Sequence, residues 1–211
     1  MNFLVFHMAK YKLGQVAGIQ IHHQRQRHSQ SNPDIDQSRS KFNYDLINES
    51  SVNFRDRIMS RISELNLKKT PRHDAVYMVD CVISASPEYM KTLSPDETKR
   101  FFQECTDYMC QFFGKENAVA ANVHLDEGNP HLHLTHVPVT ADGRLNANSI
   151  YTRLSLKKLH GDLPEYLQSK GFDVQRGVEQ VPGAKKIHLN TREFKQQQDA
   201  IKEVRDLGAV S

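Results

Sequence analysis

The stretch that most constrains this chain is His124 to Pro138, HLDEGNPHLHLTHVP. Alternating apolar runs, AVAANVHL before it and HLHLTHVPV at its end, flank a short polar turn over Asp126, Glu127, Gly128, Asn129 and Pro130. That is the pattern of a β-hairpin. Strand side chains alternate with period two, so His131 and His133 share one face while Leu132 and Leu134 point to the other. His124 lies on the partner strand, and a register that turns it to the same side converges three imidazoles on one divalent ion. Eleven histidines in the chain raise the odds of a chance His-x-His. The density of this cluster, with two acidic residues in its turn, favours a metal site over isolated surface histidines. His136 has the opposite parity and is expected in the core or on the far side of the sheet.

The chain has 211 residues, enough for one domain with a full core and a short appendage. A net charge of +3 is too small for a protein held to nucleic acid by charge alone, so any DNA contact has to come from local patches. Candidates are His22 to Arg27 (HHQRQR), Lys68-Lys69, Arg72 and Lys157-Lys158. Cys81, Cys105 and Cys110 are odd in number and lack CxxC spacing, which argues against a disulfide framework and a zinc ribbon. No apolar run approaches the roughly 20 residues of a membrane span. The start, MNFLVFHMAKYK, lacks the features of a secretory signal. A cytoplasmic protein is expected.

Along the chain, Asn2 to Met8 suits a buried strand, Lys10 to Gln26 is ambiguous because of Gly14 and Gly18, and Arg27 to Ser40 reads as a loop. Asn43 to Leu46 is a short extended piece, and Val52 to Leu65 has helical spacing. Ala75 to Ala85, AVYMVDCVISA, is the best central strand. Ser94-Pro95-Asp96-Glu97 starts a helix that carries an aromatic stripe to Gly114, and the stripe reads as core. Ser155 to Lys170 is a helix, with Pro164 marking a kink or a junction. Phe172 to Arg176 is a small edge strand, and Thr191 to Leu207 a charged helix packed only in part. Together these give an α+β domain, an antiparallel sheet covered by helices, over residues 1–180, with a helical extension over 181–211.

His131-Leu132-His133 resembles the His-hydrophobe-His motif of the HUH endonucleases, and HLDEGNPHLH closely resembles the metal motif of the Mob/Pre (MobV-type) relaxases of mobilizable plasmids and transposons. The resemblance runs from the N-terminus to about Gly177. It implies an HUH relaxase-like fold with the three-histidine metal site (His124, His131, His133) on central strands and a groove for single-stranded DNA. It also implies a histidine nucleophile followed three residues on by arginine. Gly18-Ile19-Gln20-Ile21-His22-His23-Gln24-Arg25 matches that pattern; asparagine is usual in the family where His23 stands, so the nucleophile is His22 or His23, and the spacing to Gly18 and Arg25 favours His22. Members usually continue into a longer helical half, so the resemblance leads to the expectation of a truncated or short member, with dimerisation expected through that half.

Three neutral imidazoles leave an ion its full charge and open positions, so it can polarise a scissile phosphate. Such ligands suit Mn, Co, Ni or Zn better than Mg, and the resemblance points to Mn. Ligation needs neutral rings, so metal should be lost as pH falls well below about 6.5. A neutral His22 nitrogen can attack phosphorus and form a phosphoramidate. Glu127, in the turn beside the ligands, is the expected base or orienting group. Asp126 is expected to position the turn or a ligand histidine, and Arg25 to neutralise the phosphate.

Asn32-Pro33-Asp34-Ile35-Asp36 and Asn43-Tyr44-Asp45-Leu46 resemble the family's first motif, linked with origin recognition. Arg25, Arg27, Asn32, Asp34, Asn43, Arg72 and Lys157 are the expected DNA contacts. The function expected is a metal-dependent, strand-specific nickase and strand transferase on hairpin and single-stranded origin-of-transfer DNA, working with other mobilization or conjugation proteins. The competing expectations are a rolling-circle initiator that uses Tyr44 or Tyr151, a non-catalytic origin-binding protein with a structural metal, and, more remotely, a zinc hydrolase of small substrates.

Overall fold

The computed structural model of the chain describes residues 2–27, 32, 34–65, 67 and 69–177. Strand β1 (Phe3–Lys12) passes through one 3-10 turn into helix α1 (Val16–His23). After a loop come β2 (Tyr44–Asp45), α2 (Phe54–Glu64), β3 (Val76–Ala85) and the single turn α3 (Pro87–Met90). The long helix α4 (Pro95–Phe113) leads into the hairpin of β4 (Ala118–His124) and β5 (His131–His136). Short α5 (Ala147–Ile150), α6 (Arg153–Ser169) and β6 (Gln175–Arg176) follow. The domain boundary at 180/181 and the helix expected over Thr191 to Leu207 lie outside the described residues.

The strands form one sheet of order β2-β4-β5-β3-β1-β6. Neighbours are antiparallel except β1 with β6. The fold is α+β as expected, but the sheet is mixed: α6 carries the chain back so that the edge strand β6 runs parallel to β1. On one face Leu132, Leu134, Cys81, Ile83, Leu4 and Phe6 pack with Phe101, Phe102, Cys105 and Met109 of α4 and with Leu159, Leu163 and Leu167 of α6. On the other face Met78 and Ala120 pack with Val16 of α1 and with Phe54, Ile58 and Ile62 of α2. Strand β3 is buried on both sides, so AVYMVDCVISA reads as a nearly unbroken apolar run. No helix among the described residues is long and apolar enough to cross a membrane.

Local chemistry sets the element ends. Ser94 Oγ accepts from Glu97 N at 3.3 Å and Glu97 Oε2 accepts from Ser94 N at 2.8 Å, a reciprocal cap that starts α4. Helix α4 stops at Gly114, whose φ is 88°. A Cβ there would sit 2.8 Å from Glu116 Oε1 and 2.9 Å from Asn117 Nδ2. Gly114→Ala is therefore expected to lower stability by about 1–3 kcal/mol, read as a drop in the urea midpoint; an unchanged midpoint would contradict it. In the ambiguous N-terminal region β1 runs on to Lys12, held by its ladder to β3. Helix α1 forms despite Gly18 because Val16 and Ile19 pack into the α2 layer, so packing overrides propensity. Pro164 lies within α6 without dividing it, and α6 begins at Arg153, where Thr152 Oγ1 accepts from Ser155 N at 3.1 Å.

His136 is fully buried on the α4 side, with the Tyr151 hydroxyl 3.0 Å from its Nε2 and Phe113 stacked on it at 4.0 Å. Burial lowers its pKa from 6.5 to about 3. The unfolded ring binds a proton near pH 6.5 and the folded ring only near 3. Stability that is complete above 6.5 is thus lost progressively as pH falls toward 3. At pH 4.5 this ring alone should cost about 2–3 kcal/mol. The melting temperature should fall from pH 6.5 to 4.5, and by less in a His136→Leu variant; parallel curves would contradict this.

Candidate active site

The hairpin register builds the site. His124 pairs with His131 and Asn122 with His133, so His124, His131 and His133 all emerge on the sheet face that α1 and α2 cover. Their ring centroids are 5.1, 4.9 and 5.0 Å apart, a nearly equilateral triangle. Hydrogen-bond partners fix each tautomer, because carbonyl and carboxylate oxygens only accept and a guanidinium only donates. His131 Nδ1 donates to Asn129 O at 2.9 Å, and His133 Nδ1 donates to Asp80 Oδ2 at 2.9 Å. In the neutral form of either ring this puts the lone pair on Nε2. His124 is turned the other way: Nε2 donates to His23 O at 2.8 Å, and Nδ1 accepts from Arg25 Nη2 at 3.1 Å. Burial, followed by the charge of neighbouring groups, lowers His133 from 6.5 to about 3 and pushes His124 well down, so both rings are neutral at physiological pH.

The end of α1 lies against this triangle. The His22 ring centroid is 5.6 Å from that of His124 and 5.5 Å from that of His133. Burial first, then the charges of His23 and Arg25, lower His22 from 6.5 to about 4, leaving a neutral imidazole. Its Nδ1 faces Arg25 Nη1 at 3.3 Å, so that nitrogen carries the lone pair. Arg25 leaves the helix at φ 51°, in the left-handed region, and this turn aims its guanidinium back at the hairpin. It donates to Asp126 Oδ1 and Oδ2, each at 2.9 Å, to Glu127 Oε1 at 2.5 Å and to His22 O at 2.9 Å. Burial pushes the Asp126 pKa up, but bonds from Arg25 and Ser40 outweigh it and hold the carboxylate well below its usual range.

Overlapping sets of these residues fit a divalent cation, though none of them is His124, His131 and His133 together. The donor atoms of His124, Glu127 and His131 lie within 4.8 Å of one another, as do those of His22, His124 and His133. The Arg25 guanidinium already rests on His124 Nδ1 and Glu127 Oε1, so the site accommodates positive charge.

The expected first motif also reaches the hairpin. Asn32 Nδ2 donates to Glu127 Oε2 at 3.0 Å, and Asn43 Oδ1 accepts from Leu125 N at 2.8 Å. Beside the triangle a cavity of about 490 Å³ opens between Arg25, Ser40, Asn43, Tyr44 and Asn122. Asp34 is exposed in the turn after Asn32, and Arg27 is exposed just past α1. Two expected DNA contacts are not gathered here. Lys157 is exposed on α6, which covers the opposite sheet face. Arg72 pairs with Asp74 before the start of β3, while the site lies level with Val82, and Val76 to Val82 alone spans roughly 20 Å of strand. The tyrosines fare no better as nucleophiles. Tyr151 is buried on the far face against His136, and burial raises Tyr44 to about 12.

Three participants escaped sequence reasoning. Asp80 is a buried carboxylate on β3 that accepts from His133, with His23 Nε2 3.3 Å from the same Oδ2. Its signal was a lone charge inside a central apolar strand. His23 entered only as the alternative to His22 for the nucleophile, not as a partner of Asp80. Ser40 Oγ donates to Asp126 Oδ2 at 2.6 Å and ties the loop to the hairpin.

The fold is that of relaxase domains. The chain superimposes with a TM-score of 0.85 and 32% identity on the MobM relaxase domain (MOBV; Mob_Pre) bound to plasmid pMV158 oriT DNA, a Mn-bound crystal structure at pH 6.8; the match covers 92% of this chain and 98% of that one. A structure of the same domain on 26-nucleotide pMV158 oriT DNA matches with a TM-score of 0.74 at 28% identity, over 91% and 99% of the two chains. Residues 1–196 match the Mob_Pre family, described as plasmid recombination enzyme. A Bacillus thuringiensis plasmid recombination enzyme is 42% identical over 209 residues, 99% of this chain and 46% of that protein. A Lactiplantibacillus plantarum plasmid recombination enzyme is 36% identical over 205 residues, 97% of this chain and 56% of that protein. The chain belongs to the Mob_Pre family of plasmid recombination enzymes. It spans about half the length of the curated relatives it matches.

Proposed function

We propose that this chain is a relaxase domain, a metal-dependent, site- and strand-specific DNA nickase and strand transferase that acts at an origin of transfer. The observation that carries this reading is the neutral His22 ring set against His124 and His133, with Arg25 and Glu127 closing the same space. The MobM domains it resembles hold Mn and oriT DNA, which supports Mn as the working ion here and an origin hairpin with adjacent single strand as the substrate. His124, His131 and His133 would hold the ion, with Glu127 within reach of the same position. When bound, the ion supplies Lewis-acid polarisation of the scissile phosphate.

The chain's own groups do the rest. His22 uses a nitrogen lone pair to form a P–N bond while the P–O bond to the 3′ oxygen breaks and its electron pair leaves on that oxygen. The ring's remaining N–H proton passes to Glu127 and from there to the 3′ oxygen. The products are a 5′-phosphoryl-His22 adduct and a free 3′ hydroxyl, and reversal rejoins the strand. Arg25 neutralises the phosphate charge, and Asp126 keeps Arg25 aimed. Asn32, Asn43, Asp34 and Arg27 line the approach of the DNA. Cytoplasmic action with other mobilization proteins, and dimerisation through further sequence, belong to the same proposal.

The test is incubation with Mn and supercoiled DNA carrying the candidate origin. Nicked circles with protein-linked 5′ ends, abolished by a chelator, are expected. Tight origin binding without nicking under any divalent ion would sink the enzyme reading in favour of a binding protein.

A further inference from the structure

The end of α1 supplies more than the nucleophile candidate. His23, next to His22, is buried, and its side chain is only 1% exposed. Its ring lies against the His133 ring, with centroids 4.0 Å apart at 35°, and its Nε2 is 3.3 Å from Asp80 Oδ2. The same oxygen accepts the Nδ1 proton of His133 at 2.9 Å, while Asp80 Oδ1 has no hydrogen-bond partner among the described residues. Asp80 therefore meets two imidazoles that lie against each other, both at a single oxygen. The carbonyl of His23 accepts the Nε2 proton of His124 at 2.8 Å. One residue thus touches the supports of two ring triangle members, through its backbone for His124 and through Asp80 for His133.

We propose that His23 is a positioning residue for the metal centre: its ring clamps Asp80 onto His133 Nδ1, which fixes the His133 tautomer with its Nε2 lone pair toward the ion. The inference rests on reading His124, His131 and His133 as metal ligands. The physical basis is general. A ligand histidine needs its second nitrogen tied to an acceptor, and loss of that outer partner costs about 10- to 100-fold in metal affinity. A buried carboxylate with two partners is held in place by both, so removing one frees it to rotate away. Because His23 adjoins His22, the clamp also locks the nucleophile's helix end to the ligand strand.

The test compares wild type with His23→Leu, which keeps side-chain bulk but has no donor, and with His23→Gln, whose amide nitrogen can reach Asp80 from a similar depth. Two measurements apply: Mn affinity by calorimetry, and the His133 tautomer by nitrogen-15 NMR on metal-free protein. The expected result is a loss of about 10- to 100-fold in Mn affinity for His23→Leu, with His133 no longer held as the Nδ1–H form and with both properties largely restored in His23→Gln. Asp80→Asn should lose affinity similarly, and combining it with His23→Leu should add little, because both act through one contact. An unchanged His133 tautomer in folded His23→Leu, or Mn affinity within about two-fold of wild type, would overturn the inference. If His23→Leu fails to fold, a wild-type His133 in the Nε2–H form would overturn it by itself. Absence of Mn binding in wild type would instead overturn the metal reading, whereas the tautomer result stands apart from it.

Discussion

Replacing His131 and His133 together with alanine is expected to abolish specific Mn binding and to slow origin nicking by roughly 10³-fold or more, since a Lewis acid at a developing phosphorane contributes several kcal/mol. Both rings sit on one strand face, with Nδ1 tied to Asn129 O in His131 and to Asp80 in His133. His124 alone, with Glu127, is too sparse a donor set to retain the ion. The sheet should survive, because the apolar partners Leu132 and Leu134 face the other layer and are untouched. Calorimetry, circular dichroism and a nicking assay separate the outcomes. Nicking at the wild-type rate in a folded double variant would remove the metal from the mechanism.

The second large effect concerns the attacking group. His22→Ala should give no covalent protein–DNA product, and cleavage should fall by roughly 10⁴-fold or more, the scale on which enzymes respond to loss of a nucleophile. DNA binding should change little, because Arg25, Asn32 and Asn43 remain tied to the hairpin through Asp126, Glu127 and Leu125. Alanine at His23 should reduce the rate while leaving the adduct chemistry in place, because that ring faces Asp80. Adduct formation by His22→Ala at the wild-type level would move the nucleophile elsewhere.

What could be read from the sequence followed the physics of period. The histidine hairpin was legible because alternation in a strand decides which side chains share a face, and the register that sets His124 opposite His131 completes it. Helix α4 was legible at both ends, through Ser94 with Glu97 and through Gly114. The far-side placement of His136 followed from parity. What escaped was non-local. Nothing in the sequence brings Arg25 onto Asp126 and Glu127, residues 101 and 102 positions away. Nor does it couple Asp80 to His133, 53 positions on. The direction of β6 depends on where α6 delivers the chain, and the removal of Lys157 and Arg72 from the site depends on sheet topology. Local charge at those two positions could not distinguish a DNA contact from ordinary surface.

The most direct test is to identify the atom that carries the DNA. The protein is reacted with Mn and origin DNA, digested under neutral conditions, and the nucleotide-bearing peptide is sequenced by mass spectrometry. The expected result is a single adduct on His22, cleaved by mild acid as a P–N bond should be. An acid-stable adduct on Tyr44 or another tyrosine, or nicking with no adduct on any residue, would contradict it.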